Sequence, residues 1–313
     1  MAATHEEITE RLQKATLACN PLLCRLNEIG NVRKFSGGRT IIEELMFPVM
    51  VDTRYASSFY YSGYEAVTSG QYRPANDLHK TCTVQEESGI FTAAEYPIRQ
   101  AATTMHRNSP VVDGVDPVEE VIKSVAKMVS NTISSEGVRD SFNSLPALVS
   151  TSPTIGVVGG IDRHHYRFWR NLAVSYDKAT SLSYLVRIML DRLTIMDEVG
   201  SKKTRRPDLV LMGKDDFDEF YNNSPELEGT MVVLDPNIKP MIENYAVQHS
   251  RIYFLHTEYF HWRFHEDRNW KMLDPDRFCA EAQPEAKKID LYAMAGNLTL
   301  SCSYAQGVLY RVS

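Results

Sequence analysis

The stretch DPVEEVIKSVAKMVSNTISS, residues 116–135, gives the clearest structural signal in the chain. Asp116 can cap a helix, Pro117 suits its first turn, and Glu119 completes a capping-box-like spacing. Apolar side chains then recur every three or four residues, at Val118, Val121, Ile122, Val125, Met128, Val129 and Ile133. The segment predicts a helix over 116–136, about 30 Å long, that packs one face against a sheet.

Upstream of this helix, residues 52–77 are crowded with aromatic side chains and poor in large aliphatic ones. The aromatic residues are Tyr55, Phe59, Tyr60, Tyr61, Tyr64 and Tyr72. Such a segment cannot bury a core of its own. Strand-like flanks at about 32–50 and 80–105 bracket it. The sequence therefore predicts a long protruding hairpin whose aromatic faces need another surface, which is either a neighbouring subunit or the rest of its own domain.

The remaining sequence indicates a mixture of helices and strands. Residues 5–18 predict an amphipathic helix, and a long strand-like section is predicted after Pro21. A helix over 179–199, a strand over 207–212 and a helix beginning at Asp215 indicate an α/β lobe. The C-terminal part predicts mostly strands, at 230–234, 251–256, 259–264, 288–293 and 297–309.

Composition narrows the class of protein. The chain has 313 residues, of which 43% are hydrophobic and 24% charged, so it is predicted to fold into about two domains or one elongated unit with two lobes. A formal net charge of −6 disfavours a protein that wraps nucleic acid. The polar start and the absence of a long apolar run in the sequence predict a protein that is neither secreted nor membrane-embedded. Five cysteines without a Cys-x-x-Cys pair predict reduced thiols in cytoplasm.

Three groups of residues suggest chemistry, and each has a simpler structural interpretation. The glycine-rich residues 156–160 lack the spacing of a phosphate-binding loop and predict a turn. The acidic residues 215–219 are better explained as a helix start than as a cation site. A metal centre would use His256, His261 and His265, but structural histidines are favoured, because on one strand residues 256 and 261 face opposite sides. We therefore predict no catalytic residue, no bound metal and no cofactor.

The order of elements, together with short motifs spread over nearly the whole chain, resembles that of tailed-bacteriophage major capsid proteins. The motifs are Asn20-Pro-Leu-Leu, Gly37-Gly38, Tyr61-Ser-Gly-Tyr-Glu65, Gly159-Gly-Ile-Asp-Arg163, Trp169-Arg-Asn171, Arg206-Pro-Asp-Leu-Val-Leu-Met212, Ile252-Tyr-Phe-Leu-His-Thr-Glu-Tyr259, Gly296-Asn-Leu-Thr-Leu-Ser-Cys302 and Ala305-Gln-Gly-Val-Leu309.

This resemblance implies an α+β, Hong Kong 97-like capsid fold with an N-terminal arm, an extended hairpin called the E-loop, a peripheral (P) domain carrying a long spine helix, and an α/β axial (A) domain. By position, the arm and a lead-in strand take residues 1–37 and the E-loop takes 38–82. The first part of the P domain takes 83–145, with the spine helix at 116–136. The A domain takes 146–235, and 236–313 completes the P domain.

In such shells the E-loop lies across the adjacent subunit, which agrees with the argument that the aromatic hairpin lacks a core. The resemblance predicts a structural protein, not an enzyme, that assembles into hexamers and pentamers of an icosahedral head around double-stranded DNA. Tyr55, Phe59, Tyr60, Tyr61, Tyr64 and Tyr72 are the predicted inter-subunit contacts. The implied location is the virion, assembled in the bacterial host cytoplasm.

Partners follow from the same resemblance. A portal protein is implied, the packaged DNA is held without sequence-specific contacts, and a decoration protein is left open. Because only about 35 residues precede the first strands, a separate scaffolding protein is expected. Some relatives cross-link subunits through an E-loop lysine, but this sequence has no lysine between Lys34 and Lys80, so that cross-link is not expected. The alternatives are an encapsulin-like nanocompartment shell and, from another class, a metal-dependent enzyme using the three histidines.

Overall fold

A computed structural model defines the architecture. It describes residues 4–46, 84–86, 89–91, 93–106, 116–135, 140–176, 181–196, 204–223, 227, 230–238, 241–243, 247–273 and 289–311. The chain divides into two compact units. Unit 1 comprises Met1–Ile41, Pro97–Ser144 and His261–Leu298, and unit 2 comprises Ile42–Tyr96, Leu145–Phe260 and Thr299–Ser313.

The described part of the chain contains both helices and strands, in runs that do not alternate regularly, which confirms the predicted α+β class. The helices are α1 (His5–Ala18), α2 (Pro21–Glu28), α3 (Pro117–Ser134), α4 (Leu145–Leu148), α5 (Leu182–Arg192) and α6 (Lys214–Asn223). The strands are β1 (Val32–Phe35), β2 (Thr40–Glu44), β3 (Val84–Glu86), β4 (Gly89–Phe91), β5 (Ala93–Pro97), β6 (Arg99–His106), β7 (Val157–Val158), β8 (Ile161–Asp162), β9 (Leu172–Tyr176), β10 (Ile195–Met196), β11 (Thr204–Arg205), β12 (Leu209–Met212), β13 (Met231–Leu234), β14 (Met241–Glu243), β15 (Val247–His249), β16 (Arg251–Leu255), β17 (Phe260–His265), β18 (Lys271–Leu273), β19 (Ile289–Leu300) and β20 (Gly307–Arg311).

Unit 1 is built on a five-stranded sheet and the helices α1 and α3. The sheet has the order β1-β17-β19-β18, and β6 also pairs with β19. Strand β1 runs parallel to β17, whereas β6 and β18 run antiparallel to β19. The side chains of Trp262, Trp270 and Tyr292 are almost fully buried. The indole nitrogen of Trp270 donates to Thr16 Oγ1 of α1 at 2.8 Å, so the helix is fixed by a polar as well as an apolar contact.

Helix α3 is the helix predicted over 116–136. The Asp116 side chain accepts a hydrogen bond from the backbone amide of Val118 at 3.0 Å, as expected of a helix cap. Val125, Val129 and Ile133 are buried, and α3 packs against α1. The predicted cap identified the start of the helix, and part of the predicted apolar stripe is buried, but Met128 of that stripe is 38% exposed.

Helix α2 corrects the prediction of strand-like sequence after Pro21. The Asn20 side chain accepts from the backbone amide of Leu22 at 2.9 Å, and Pro21 occupies the first turn. Leu22, Leu23 and Leu26 are buried on one face. A capped turn with an early proline and three leucines at helical spacing stabilises a short helix, and strands begin only at Val32.

Unit 2 is organised around a second five-stranded sheet, in the order β13-β12-β16-β20-β9. Strand β12 leads through α6 to the parallel strand β13, and β16 lies antiparallel between β12 and β20. All four residues of β12 and all five of β16 are buried, as expected of central strands. The predicted helix over 179–199 is shorter in the structure, because Leu193 caps α5 and Ile195–Met196 pairs with Thr204–Arg205 instead.

The C-terminal strands are divided between the two units. Strands β16 and β20 belong to the sheet of unit 2, since their hydrogen bonds join them to β12, to each other and to β9. The two strands predicted at 288–293 and 297–309 are instead one continuous strand, β19, followed by β20. Gly296 permits this continuity, because an added Cβ would collide with the Arg263 carbonyl.

Candidate assembly surface

The predicted contact residues Tyr55, Phe59, Tyr60, Tyr61, Tyr64 and Tyr72 all lie outside the described residues, as does most of the predicted E-loop. What the structure describes is the pair of strands from which that segment leaves and to which it returns. Strands β2 and β5 pair in a two-stranded ladder. Both alternate buried and more exposed positions, as strands with one buried face do. The described strands that precede and follow that segment are therefore hydrogen-bonded to each other.

Buried polar contacts anchor this pair of strands within unit 2. The Glu43 side chain is only 2% exposed, and its carboxylate accepts a hydrogen bond from Thr299 Oγ1 at 2.7 Å. The Tyr96 hydroxyl donates to the Leu300 carbonyl at 2.7 Å, and burial raises the pKa of Tyr96. Beyond β2, the Met46 amide donates to the Ser301 carbonyl at 2.9 Å. The consecutive residues 299–301 thus form hydrogen bonds with the β2 side and with the β5 side of this pair of strands.

The glycine-rich residues 156–160 contain the turn that the sequence predicted. Strands β7 and β8 pair directly across Gly159 and Gly160, which both have positive φ, at 58° and 74°. Two consecutive residues of this kind are typical of a tight type I′ hairpin. The Gly159 carbonyl also accepts from the Glu95 amide at 2.8 Å, so the hairpin packs on β5.

Replacing Gly159 with alanine is expected to destabilise this anchor. An added Cβ would lie 2.7 Å from Ala94 Cβ and 3.0 Å from Tyr96 Cζ, in addition to the cost of positive φ. We expect Gly159→Ala to lower the free energy of unfolding by about 3 kcal/mol. Urea denaturation followed by circular dichroism measures this change.

Gly37→Ala is the matched control, because Gly37 has φ of 69° but no atom within 4 Å of an added Cβ. It carries the conformational cost alone, about 1 kcal/mol. Equal losses in the two variants would show that the close approach of Gly159 to Ala94 and Tyr96 does not stabilise the protein.

Arg163, the last residue of the Gly159-Gly-Ile-Asp-Arg163 motif, holds three segments of unit 2 together. Its side chain is 1% exposed. The guanidinium donates to the carbonyls of Ala147 and Trp169 and to Ser303 Oγ, at 3.3, 3.3 and 3.2 Å, and also to the Leu148 carbonyl. Burial lowers the pKa of Arg163 to about 10, so the group remains protonated at neutral pH.

The candidate metal histidines have separate structural surroundings. His256 is buried after β16, where its Nε2 lies 2.8 Å from the Leu193 carbonyl and its amide donates to Gln306 Oε1 at 2.9 Å. Burial lowers the pKa of His256, which favours the neutral ring. His261 is a buried residue of β17, and the ring of His265 stands edge-on to Phe35 at 5.4 Å. Within the described residues, no three His, Cys, Asp or Glu side chains are grouped to hold a metal ion.

The acidic residues 215–219 begin α6, as predicted. Asp216 is the buried member, and its Oδ1 accepts from Ser250 Oγ at 2.9 Å and from the Tyr176 hydroxyl at 3.3 Å. Burial raises the pKa of Asp216, against the opposing effect of Arg311. The cluster of Asp216, Tyr176 and Ser250 lies at one end of the sheet of unit 2, because Tyr176 is the last residue of β9 and Ser250 directly precedes β16.

Asp216→Asn is expected to stabilise the protein increasingly as the pH rises above 3.8, the ordinary pKa of the carboxyl group. Because the folded pKa is raised, the native state retains a proton that the unfolded chain has lost, so wild-type stability falls as pH rises through this window. The amide cannot ionise, and its oxygen can still accept from Ser250 and Tyr176. Melting temperatures measured between about pH 4 and 7 test the trend. Asp218→Asn, at an exposed position of the same helix, should not reproduce it.

The outer sides of α5 and α6 carry large exposed aromatic side chains that the sequence analysis did not single out. Tyr184 on α5 is 60% exposed and Tyr221 on α6 is 75% exposed. The Tyr221 ring stacks on Phe217 with 5.8 Å between centroids. The sequence did contain one signal of this exposure. Tyr184 lies outside the apolar stripe of α5, at a position where a solvent-facing helix normally carries a polar residue.

Comparison with solved structures gives weak but extensive likenesses over most of the chain. The "Capsid of native GTA particle computed with C5 symmetry" has a TM-score of 0.49 and 13% identity, over 92% of this chain and 90% of that one. The "Cyanophage A-1(L) capsid asymmetric unit" has a TM-score of 0.49 and 13% identity, over 96% and 92%. A virus-like particle from Pyrococcus furiosus has a TM-score of 0.46 and 10% identity, over 97% and 98%.

Sequence comparisons add no family name. No protein-family model matches the chain. No curated protein matches it either. Among the described residues, none of the helices is both long and apolar enough to cross a membrane.

Proposed function

We propose that this chain is a structural shell protein, whose role is to bind further copies of itself. More particularly, it is the major capsid protein of a tailed bacteriophage, with a Hong Kong 97-like fold. In this proposal it forms the hexamers and pentamers of an icosahedral head around double-stranded DNA. Support comes from the order of elements, with α1, the paired strands β2 and β5, α3 and a separate α/β unit, and from the motifs that resemble the family.

The observation that carries the proposal is the pairing of β2 with β5 on an anchored base. Between these strands lies sequence with six aromatic residues at 55–72 and few large aliphatic ones. Strongly held ends and a segment without the composition of a core are the features expected of an arm that completes its packing on another subunit. Each square ångström of apolar surface that it buries there would contribute about 25 cal/mol to assembly.

The remaining parts of the proposal concern partners and location. A separate scaffolding protein directs assembly, a portal protein occupies one vertex, and a decoration protein is an optional addition. The net charge of −6 suits a shell that confines DNA without binding it tightly. No catalytic step is required, and the mature protein resides in the virion.

Electron microscopy of the purified protein tests this function. Negative-stain images and light scattering, with and without the candidate scaffolding partner, should show closed shells, tubes, hexamers or pentamers. A strictly monomeric protein under every condition would overturn the proposal. The contents of shells isolated from cells distinguish double-stranded DNA from the protein cargo of an encapsulin-like compartment.

A further inference from the structure

Two neighbouring helices of unit 2 present outer faces of opposite character. Helices α5 and α6 contact each other, and each buries its other side: Val186 and Met189 of α5 and Phe220 of α6 are 5% exposed or less. Their remaining sides face away from the core and are open in a single copy of the chain.

The outer side of α5 is aromatic and basic. Tyr184, Arg187 and Arg192 are exposed there, and we call these three residues the basic face. Asp191, the acidic residue of α5 itself, is already paired with Arg206 at 2.8 Å. Within the part of the chain that the structure describes, neither Arg187 nor Arg192 forms an ion pair. Among the described residues of unit 2, this face therefore carries positive charge that no ion pair compensates.

The outer side of α6 is aromatic and acidic. Asp215, Asp218 and Tyr221 are exposed, with Phe217 stacked beneath Tyr221, and we call these four residues the acidic face. Glu219, on the same helix, is paired with Arg311 at 3.2 Å. Among the described residues, no ion pair involves Asp215 or Asp218.

Solubility and the helix dipole explain only part of this arrangement. Carboxylates near the start of α6 and an arginine at the end of α5 complement the helix dipoles. That effect does not account for Arg187 in the middle of α5, nor for two tyrosines more than half exposed. Tyrosine and arginine together are enriched at protein interfaces, where they supply the strongest individual contacts.

We propose that the basic face of one copy docks on the acidic face of a second copy. The inference rests on the proposed function, which requires every copy to contact others of the same sequence. The two faces match in charge and in aromatic content, and every copy provides both. Repeated between neighbours, the contact would pair each uncompensated charge and cover both tyrosines.

Charge reversal tests the pairing. Arg187→Glu places like charges opposite Asp218, and Asp218→Arg places like charges opposite Arg187, so each variant should reduce the assembled fraction about tenfold at low salt. Arg187→Glu combined with Asp218→Arg in one chain should restore assembly, because the opposite charges are then exchanged. Particle yield is measured by sedimentation and negative-stain microscopy, and circular dichroism verifies that each subunit is folded.

Arg167→Glu is the matched control, since Arg167 is an exposed arginine of unit 2 outside both faces, and it should assemble normally. Should a reversal impair folding, Arg187→Gln and Asp218→Asn replace it, with smaller losses expected. Normal assembly of both single variants, or failure of the folded double variant, would overturn the docking while the proposed function stands. If the wild type never assembles, the proposed function is wrong, and the docking of the two faces is then wrong as well.

Discussion

Aspartate at Tyr60, Tyr61 or Tyr64 is expected to abolish shell assembly while leaving a folded, soluble subunit. These side chains lie in the segment whose ends are held by β2 and β5, and in our proposal they pack against another copy. A carboxylate in such a contact must be dehydrated without a partner, which costs several kcal/mol and is repeated at every interface of the shell. Sedimentation and electron microscopy measure assembly, and thermal unfolding measures the integrity of the subunit.

The corresponding phenylalanine variants provide the control. Tyr61→Phe keeps the apolar area of the ring and removes only the hydroxyl, so assembly should be close to normal. If the aspartate variants form shells of normal size and yield, residues 60–64 do not lie between subunits. If instead they unfold the isolated subunit, the aromatic segment packs on its own domain, the alternative that the sequence left open.

Arg163→Ala is expected to produce the largest loss of subunit stability. The substitution removes the donors for the buried carbonyl contacts at Leu148 and Trp169, for the part-buried carbonyl of Ala147 and for a hydroxyl, and leaves a cavity where an almost fully buried side chain stood. We expect the free energy of unfolding to fall by about 4 kcal/mol. Urea denaturation of unassembled protein is the measurement.

Two further variants show how much of that loss of stability comes from the hydrogen bonds of Arg163. Arg163→Lys retains a positive charge but cannot reach all four acceptors with one ammonium group, so its cost should be intermediate, about 2 kcal/mol. Arg167→Ala removes an exposed arginine four residues away and should change stability by no more than about 0.5 kcal/mol. A loss below 1 kcal/mol for Arg163→Ala would mean that water satisfies these acceptors and that the arginine does not hold the unit together.

Local signals in the sequence were sufficient for several elements. Asp116, Pro117 and the apolar repeat that follows predicted α3, and the glycine pair at 159–160 predicted a turn. Each depends on residues within one or two turns of chain. The same local reasoning failed at 21–28, where the cap formed by Asn20 was not recognised and a strand-like section was predicted instead of a helix.

The candidate assembly surface was predictable only in part. Aromatic crowding at 55–72 is visible in composition, and it predicts that this segment needs a partner surface. The faces on α5 and α6 were missed, although Tyr184 lies outside the apolar stripe of α5, because composition alone does not separate Tyr184 and Tyr221 from buried tyrosines. Whether the neighbouring charges are already compensated depends on ion pairs such as Arg206 with Asp191, which join different elements.

The sequence by itself determined the α+β class, the start of α3 and the resemblance to capsid proteins, because helix capping, side-chain periodicity and composition act over short distances along the chain. Only the tertiary structure decided that β16 and β20 complete the sheet of unit 2, that Glu43 binds Thr299, and that Arg163 reaches Ser303. The last two contacts are hydrogen bonds between residues that are separated along the chain by 256 positions in the first case and 140 in the second. A buried polar group takes the partner that folding brings within hydrogen-bonding distance, and no local pattern specifies that partner.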